Sequence, residues 1–120
     1  DGKFTLPTIN ASSPSDSTDP NQLNNLGASF YFVIETAATD LDIKTDGTDK
    51  FVGGLYIGVN NATGKTFISG ASNDVITLNG TTKGGLAGSV VKVTAIADDK
   101  YAVEGIVLGS GTLVTPFADA

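Results

Sequence analysis

The side chains that could do chemistry in this chain are two glutamates, eleven aspartates, seven lysines, three tyrosines and scattered serines; its 120 residues include no His, Cys, Met, Trp or Arg. General acid–base catalysis wants an imidazole or carboxylates in tuned surroundings. Glu35 and Glu104 are the candidates for a glycosidase pair, which a retaining enzyme sets about 5 Å apart. Both read as outward positions on strands, with no aromatic sugar platform around them. Nucleophilic catalysis has no base to draw on, and no serine sits in a G-x-S-x-G elbow. Gly109-Ser110-Gly111 reads as an interstrand loop.

Phosphate and metal motifs fail on spacing. Gly64-Lys65-Thr66 copies the tail of a P-loop, but Gly58 lies six positions before Gly64, outside G-x-x-x-x-G-K, so the stretch reads as a hairpin turn. Asp40 and Asp42 fit the first two ligand positions of an EF-hand loop, but Lys44 and Thr45 occupy the fifth and sixth. A looser site from Asp46, Asp49 and backbone carbonyls competes with turn-forming aspartates as the explanation. Three N-x-[ST] sequons, at Asn10, Asn61 and Asn79, are expected by chance in so Asn/Thr-rich a chain. The expectation is a protein without catalytic residues, metal or cofactor.

The elements that would position any site are short strands. Fifteen glycines and frequent Asn, Asp and Ser punctuate runs rich in Val, Ile, Thr, Phe and Tyr, the all-β signature. The spacing predicts strands at Lys3–Leu6, Ser29–Thr36, Leu41–Thr45, Phe51–Val59 (broken or bulged at Gly53-Gly54), Thr66–Ser69, Val75–Leu78, Ser89–Ala97, Tyr101–Val107 and Thr112–Thr115. In SFYFVIET both faces are largely apolar, which predicts a central strand covered on both sides. One helical turn near Pro20–Leu26 is the sole helical expectation. The fold class is an all-β antiparallel β-sandwich or barrel-like (jelly-roll or tulip-like) domain of about eight to nine strands. It is read as one domain: residues 1–9 an N-terminal arm and first strand, 10–25 a long polar loop, 26–120 the β core and C-terminal tail.

Composition narrows the function classes. With 40% hydrophobic residues and mean hydropathy +0.10 the chain can build one core. A net charge of −6 without arginine argues against nucleic acid. No apolar run is long enough for a membrane helix, and the opening at Asp1 without Met reads as a processed, trimmed or incompletely numbered chain.

Two stretches carry a resemblance. One is Gly27–Ile34 followed by Leu41-Asp42-Ile43 and Asp46-Gly47-Thr48-Asp49; the other is Ile76–Gly80, Ser89–Ala97 and Lys100–Gly105, with Phe4-Thr5-Leu6-Pro7 ahead of both. Their order resembles the β-rich modules of tailed-phage structural proteins, especially capsid decoration (cement) proteins and head or tail fibres. The long polar insertion Ile9–Asn25 departs from that pattern. The resemblance implies a virion protein on the capsid surface, a homotrimer whose partner is the major capsid protein, with no nucleic-acid or membrane partner. Sheet-edge or terminal-arm pairing would attach it, through Phe4, Leu6 and Pro7 at one end and Val114, Pro116 and Phe117 at the other, although Phe117 could instead cap the domain's own core. The alternative is a fibre or receptor-binding domain for host glycans, with Tyr31, Tyr56 and Tyr101 as candidate rings. A bacterial adhesin repeat ranks below both, as no internal repeat is visible.

Overall fold

A computed structural model describes residues 2–11 and 24–120. Most of the expected 10–25 loop, and Pro20–Leu23 of the expected helical turn, lie outside the described residues; Leu26 and Gly27 form a simple turn.

The described residues form nine strands and no helix: β1 (Lys3–Thr5), β2 (Ser29–Val33), β3 (Leu41–Lys44), β4 (Lys50–Val59), β5 (Ala62–Ile68), β6 (Val75–Leu78), β7 (Val90–Ala97), β8 (Lys100–Gly109) and β9 (Phe117–Ala118). They make two sheets, β1-β3-β6-β9 and β2-β7-β8-β4-β5. The fold is an all-β sandwich, and its sheets do not close into a barrel. Most pairings are antiparallel, but β1 runs parallel to β3 and β4 parallel to β8.

Alternation explains the packing, because successive strand residues point to opposite faces. Leu41, Ile43, Ile76, Leu78 and Phe117 of the smaller sheet bury with Phe51, Leu55, Ile57, Val91, Val93, Tyr101, Val103 and Val107 of the larger one in a single core. Leu6, Ile9, Ile34, Ala38 and Leu113 extend it from the connections. Two-residue turns at Asn60-Asn61 and Asp98-Asp99 hold Asn61 at φ 55° and Asp99 at φ 59°, a conformation that Asn and Asp tolerate best among side-chain-bearing residues.

Several expectations change. The strand expected at Ser29–Thr36 stops at Val33, and it is an edge strand with Tyr31 and Val33 in solvent, not a central one. Strand β4 is unbroken, although its ladder to β8 lapses between Gly53 and Tyr56. Gly64-Lys65-Thr66 lies within β5; the turn is Asn60-Asn61. The last strand is Phe117–Ala118, not Thr112–Thr115. Residues 112–116 instead make single irregular contacts, Val114 N donating to Thr82 O and Pro116 O accepting from Thr77 N. Pro116, which has no N–H to give a ladder, delays regular pairing until Phe117.

Candidate functional site: the outer face of the larger sheet

Cross-strand partners share a face, so register defines the side of the larger sheet that turns away from the core. Ser29, Tyr31 and Val33 of β2 oppose Thr94, Lys92 and Val90 of β7. Those oppose Ala102, Glu104 and Ile106 of β8, which align with Val52 and Tyr56 of β4. Thr66 and Ile68 of β5 complete the row. A solvated sheet face is ordinarily polar, yet this one exposes Tyr31 (67%), Val33 (64%), Ile106 (57%) and Ile68 (78%), with Val52 and Tyr56 beside them. Its one opposite-charge pair is Lys92 and Glu104, 3.9 Å apart, and Lys92 Nζ also stands 5.8 Å over the Tyr31 ring. A solvated, exposed pair of this kind contributes little to stability.

Glycines shape the surface. The Tyr56 ring lies across Gly58 and Gly64: a Cβ on Gly64 would stand 2.6 Å from the ring's Cζ, and one on Gly58 would stand 3.4 Å from Cε1. Tyr56 is 42% exposed, so a ring seated on glycines presents its other side to solvent. Gly105, at φ 152°, brings β8 so close to β7 that a Cβ would collide with the Val90 carbonyl. Beside it runs a shallow groove of about 600 Å³ lined by Tyr31, Lys92, Glu104 and Ile106. A second, of about 630 Å³, continues from Ile106 to Tyr56.

Charge gathers elsewhere. Asp46, Asp49, Asp74, Asp98, Asp99 and Asp119 cluster at one end of the sandwich. The register fixes this, since the β3–β4 and β7–β8 turns adjoin the Lys50–Lys100 pair, while Asp74 and Asp119 flank the Val75–Ala118 pair. Asp74 binds Lys50 Nζ at 2.8 Å and the Ala120 amide at 2.7 Å. Burial raises its carboxyl, but the lysine and that amide outweigh burial and hold it below 3.8. Asp46 accepts from the Asp49 and Thr48 amides and the Thr8 hydroxyl; the Asp49 amide first, then Thr8, lower its carboxyl.

The attachment residues expected from sequence divide. Leu6 and Phe117 belong to the core and Pro116 is buried, so these three are not surface contacts; Phe117 pairs with Ile76 and caps the domain's own interior. Both terminal strands are already paired within the fold, β1 to β3 and β9 to β6. Phe4, Pro7 and Val114 are exposed, but Phe4 leans edge-on against Phe32, ring centroids 5.5 Å apart. The carbonyl of Pro7 accepts from the Tyr101 hydroxyl at 2.6 Å.

The other candidates do not assemble. Tyr101 is fully buried and offers no ring to a sugar. Glu35 lies in the bend beyond the end of β2 and Glu104 within β8, with β7 between those two strands, so the pair are not cross-strand neighbours. Asp40, Asp42, Asp46 and Asp49 do not converge, and among the described residues no group of three or more His, Cys, Asp or Glu is arranged to hold a metal. No helix among them is long and apolar enough to cross a membrane.

The apolar-on-both-sides pattern of SFYFVIET predicts burial of both faces, whereas Tyr31 and Val33 lie exposed on the outer face. The signal lay in the same excess on several strands at once: Val52 and Tyr56, Ile68, and Ile106 occupy the alternate positions that a solvated sheet fills with polar residues. No family model matches the chain, and neither a curated protein nor a solved structure matches it.

Proposed function

We propose that this domain is a non-catalytic structural module that docks on a protein surface through the outer face of its larger sheet, and that it serves as a capsid decoration protein. The observation that carries the reading is the set of six outward apolar residues, Tyr31, Val33, Val52, Tyr56, Ile68 and Ile106, on one nearly uncharged face. Contiguous apolar surface of this kind marks interaction sites, and aromatic residues are the favoured anchors of protein interfaces. The absence of His, Cys and Arg supports a role without chemistry. The net charge of −6 discourages contact with packaged or free nucleic acid. The shell protein as partner, the homotrimer and the place on the virion rest on the resemblance alone.

Undecorated capsids sedimented with the purified protein provide the test. The wild type co-pellets, whereas Ile106→Asp, which places a charge at the centre of the face, stays in the supernatant with an unchanged circular dichroism spectrum. A wild type that binds no shell, or an Ile106→Asp that binds as well as wild type, refutes the proposal. A second reading, glycan recognition, draws on Tyr31 and Tyr56 sharing that face with a Tyr56 ring laid on glycines. Binding to a glycan array that Tyr56→Ala abolishes would favour it.

A further inference from the structure

Register sorts the outer face of the larger sheet into rows that run across the strands. Val33, Val90, Ile106 and Tyr56 form one row. Tyr31, Lys92 and Glu104 form the next. Gly54 ends that row on β4, since β4 and β8 keep the same offset at Gly53–Val103 and at Tyr56–Ile106. A third row holds Ser29, Thr94, Ala102 and Val52. In a contact between identical faces, residue i meets j and j meets i, so a face fits itself only where its two halves are complementary. A two-fold axis along the strands, midway between β7 and β8, lays β7 over β8 of a second copy and β2 over its β4. Lys92 then meets Glu104, Val90 meets Ile106 and Val33 meets Tyr56. The Tyr31 ring, 67% exposed, stands over Gly54, which has no side chain to obstruct it. An axis across the strands would instead stack Lys92 on Lys92 or Glu104 on Glu104, a like-charge contact that interfaces avoid. Charge therefore selects one of the two arrangements.

We propose that in the free protein a second copy of the chain covers this face, packed about an axis parallel to the strands, with Lys92 and Glu104 of both copies forming a ring of four alternating charges. The inference rests on the reading of this face as a docking surface and names its occupant before any shell takes it. Within one chain Lys92 and Glu104 are 3.9 Å apart, with side chains 35% and 73% exposed, so both have reach to spare for a facing partner. Sheets packed face to face lie about 10 Å apart with strand directions within about 30°. That rotation displaces the outer strands more than the β7–β8 centre, so the charge match at the axis sets the arrangement. Four strands and three rows cover roughly 19 by 20 Å, about 800 Å² over both copies before side-chain relief adds to it. Contacts of that size are weak and reversible, as a face that must later yield to a shell requires. The acidic turns at Asp46–Asp49 and Asp98–Asp99 of the two copies come to the same end, a repulsion that salt screens.

The test is sedimentation equilibrium of the whole chain at about 0.15 M salt, with protein from about 10 μM to about 1 mM, a range suited to weak association. The mass should climb from 12.2 kDa towards twice that value. Lys92→Glu and Glu104→Lys each set like charges in both symmetry-related contacts, and each should weaken association at least about tenfold. An equimolar mixture of the two variants should associate within about threefold of wild type, because every altered charge then faces its opposite. A change confined to the pair within one chain could not produce that rescue. Circular dichroism and thermal midpoints check that both variants fold. Four results overturn the proposal: a monomer at every concentration, a mass of three chains, a single variant that associates as well as wild type, or a mixture no stronger than its components. A monomeric wild type that still co-pellets with shells would remove the dimer and leave the docking reading intact. A dimer that binds no shell would do the reverse.

Discussion

Tyr101→Phe isolates one hydrogen bond without disturbing the packing around it. The ring of Tyr101 is fully buried in the core, and its hydroxyl donates to the Pro7 carbonyl at 2.6 Å, ninety-four residues away in sequence. Removing the oxygen keeps the ring and its contacts, so no large cavity term arises. Pro7 is exposed, so its carbonyl can turn to water, and the loss is the net value of one hydrogen bond, about 1 kcal/mol. Unfolding entropy near the midpoint is about 2.1 cal/mol/K per residue, roughly 250 cal/mol/K over 120 residues. One kcal/mol then lowers the thermal midpoint by about 4 °C. Calorimetry reads the midpoint, and amide exchange at Leu6 and Ile9 reads the local effect, which should exceed the change at Val93. A midpoint within 1 °C of wild type, with unchanged exchange at Ile9, would refute the claim that this hydroxyl anchors the N-terminal segment.

Other substitutions test neighbouring claims. Phe117→Ala should cost about 3–5 kcal/mol in denaturant unfolding, because Phe117 is a core residue, whereas Val114→Ala, at 43% exposure, should stay within about 0.5 kcal/mol of wild type. Gly105→Ala should destabilise by about 2 kcal/mol or more, since a Cβ meets the Val90 carbonyl and φ is 152°; wild-type stability would contradict the close approach of β7 and β8. Asp74→Asn should weaken the protein at pH 7. Because the Asp74 carboxyl is held below 3.8, its contribution is present above that value and lost as pH falls through the folded one. The gap between variant and wild type, followed by thermal midpoints, should accordingly close below pH 3.8.

Strand existence was legible because it rests on local signals: β-branched runs, alternation, and turn pairs such as Asn60-Asn61 and Asp98-Asp99. The strand expected at Val75–Leu78 is β6 residue for residue. What local signals do not carry is which strands lie side by side. The parallel pairing of β4 with β8 joins residues fifty positions apart, and nothing in either strand's alternation specifies it. The same gap explains why the strand expected at Ser29–Thr36 as a central one is an edge strand, Ser29–Val33. Its pattern states that both faces meet apolar matter, not whether that matter is the domain's own core or another molecule. Phe117 shows the converse: a short apolar tail after Pro116 suits a docking arm or a core cap equally well, and Ile76 across the ladder decides for the cap.

Edges and faces are alternative routes by which a β-sandwich associates, and this sequence treats them differently. Strand β1 has three residues and begins with Lys3, and β9 has two, so the smaller sheet offers little edge to pair with. On β5, Lys65 occupies the same face as buried Ile57. A charge on the inward row of an edge strand makes an added strand costly, and edge lysines blunt pairing generally. At the opposite edge the Phe4 ring leans on Phe32 of β2. Between these guarded edges, the outer face of the larger sheet spans four strand spacings, roughly 19 Å, with Lys92 and Glu104 as its one pair of opposite charges. A partner's own surface pressed against the face would desolvate few charges, which keeps the penalty on burial low. Selective protection of the edges, beside an unprotected apolar face, therefore supports the face-on docking proposed above over strand addition.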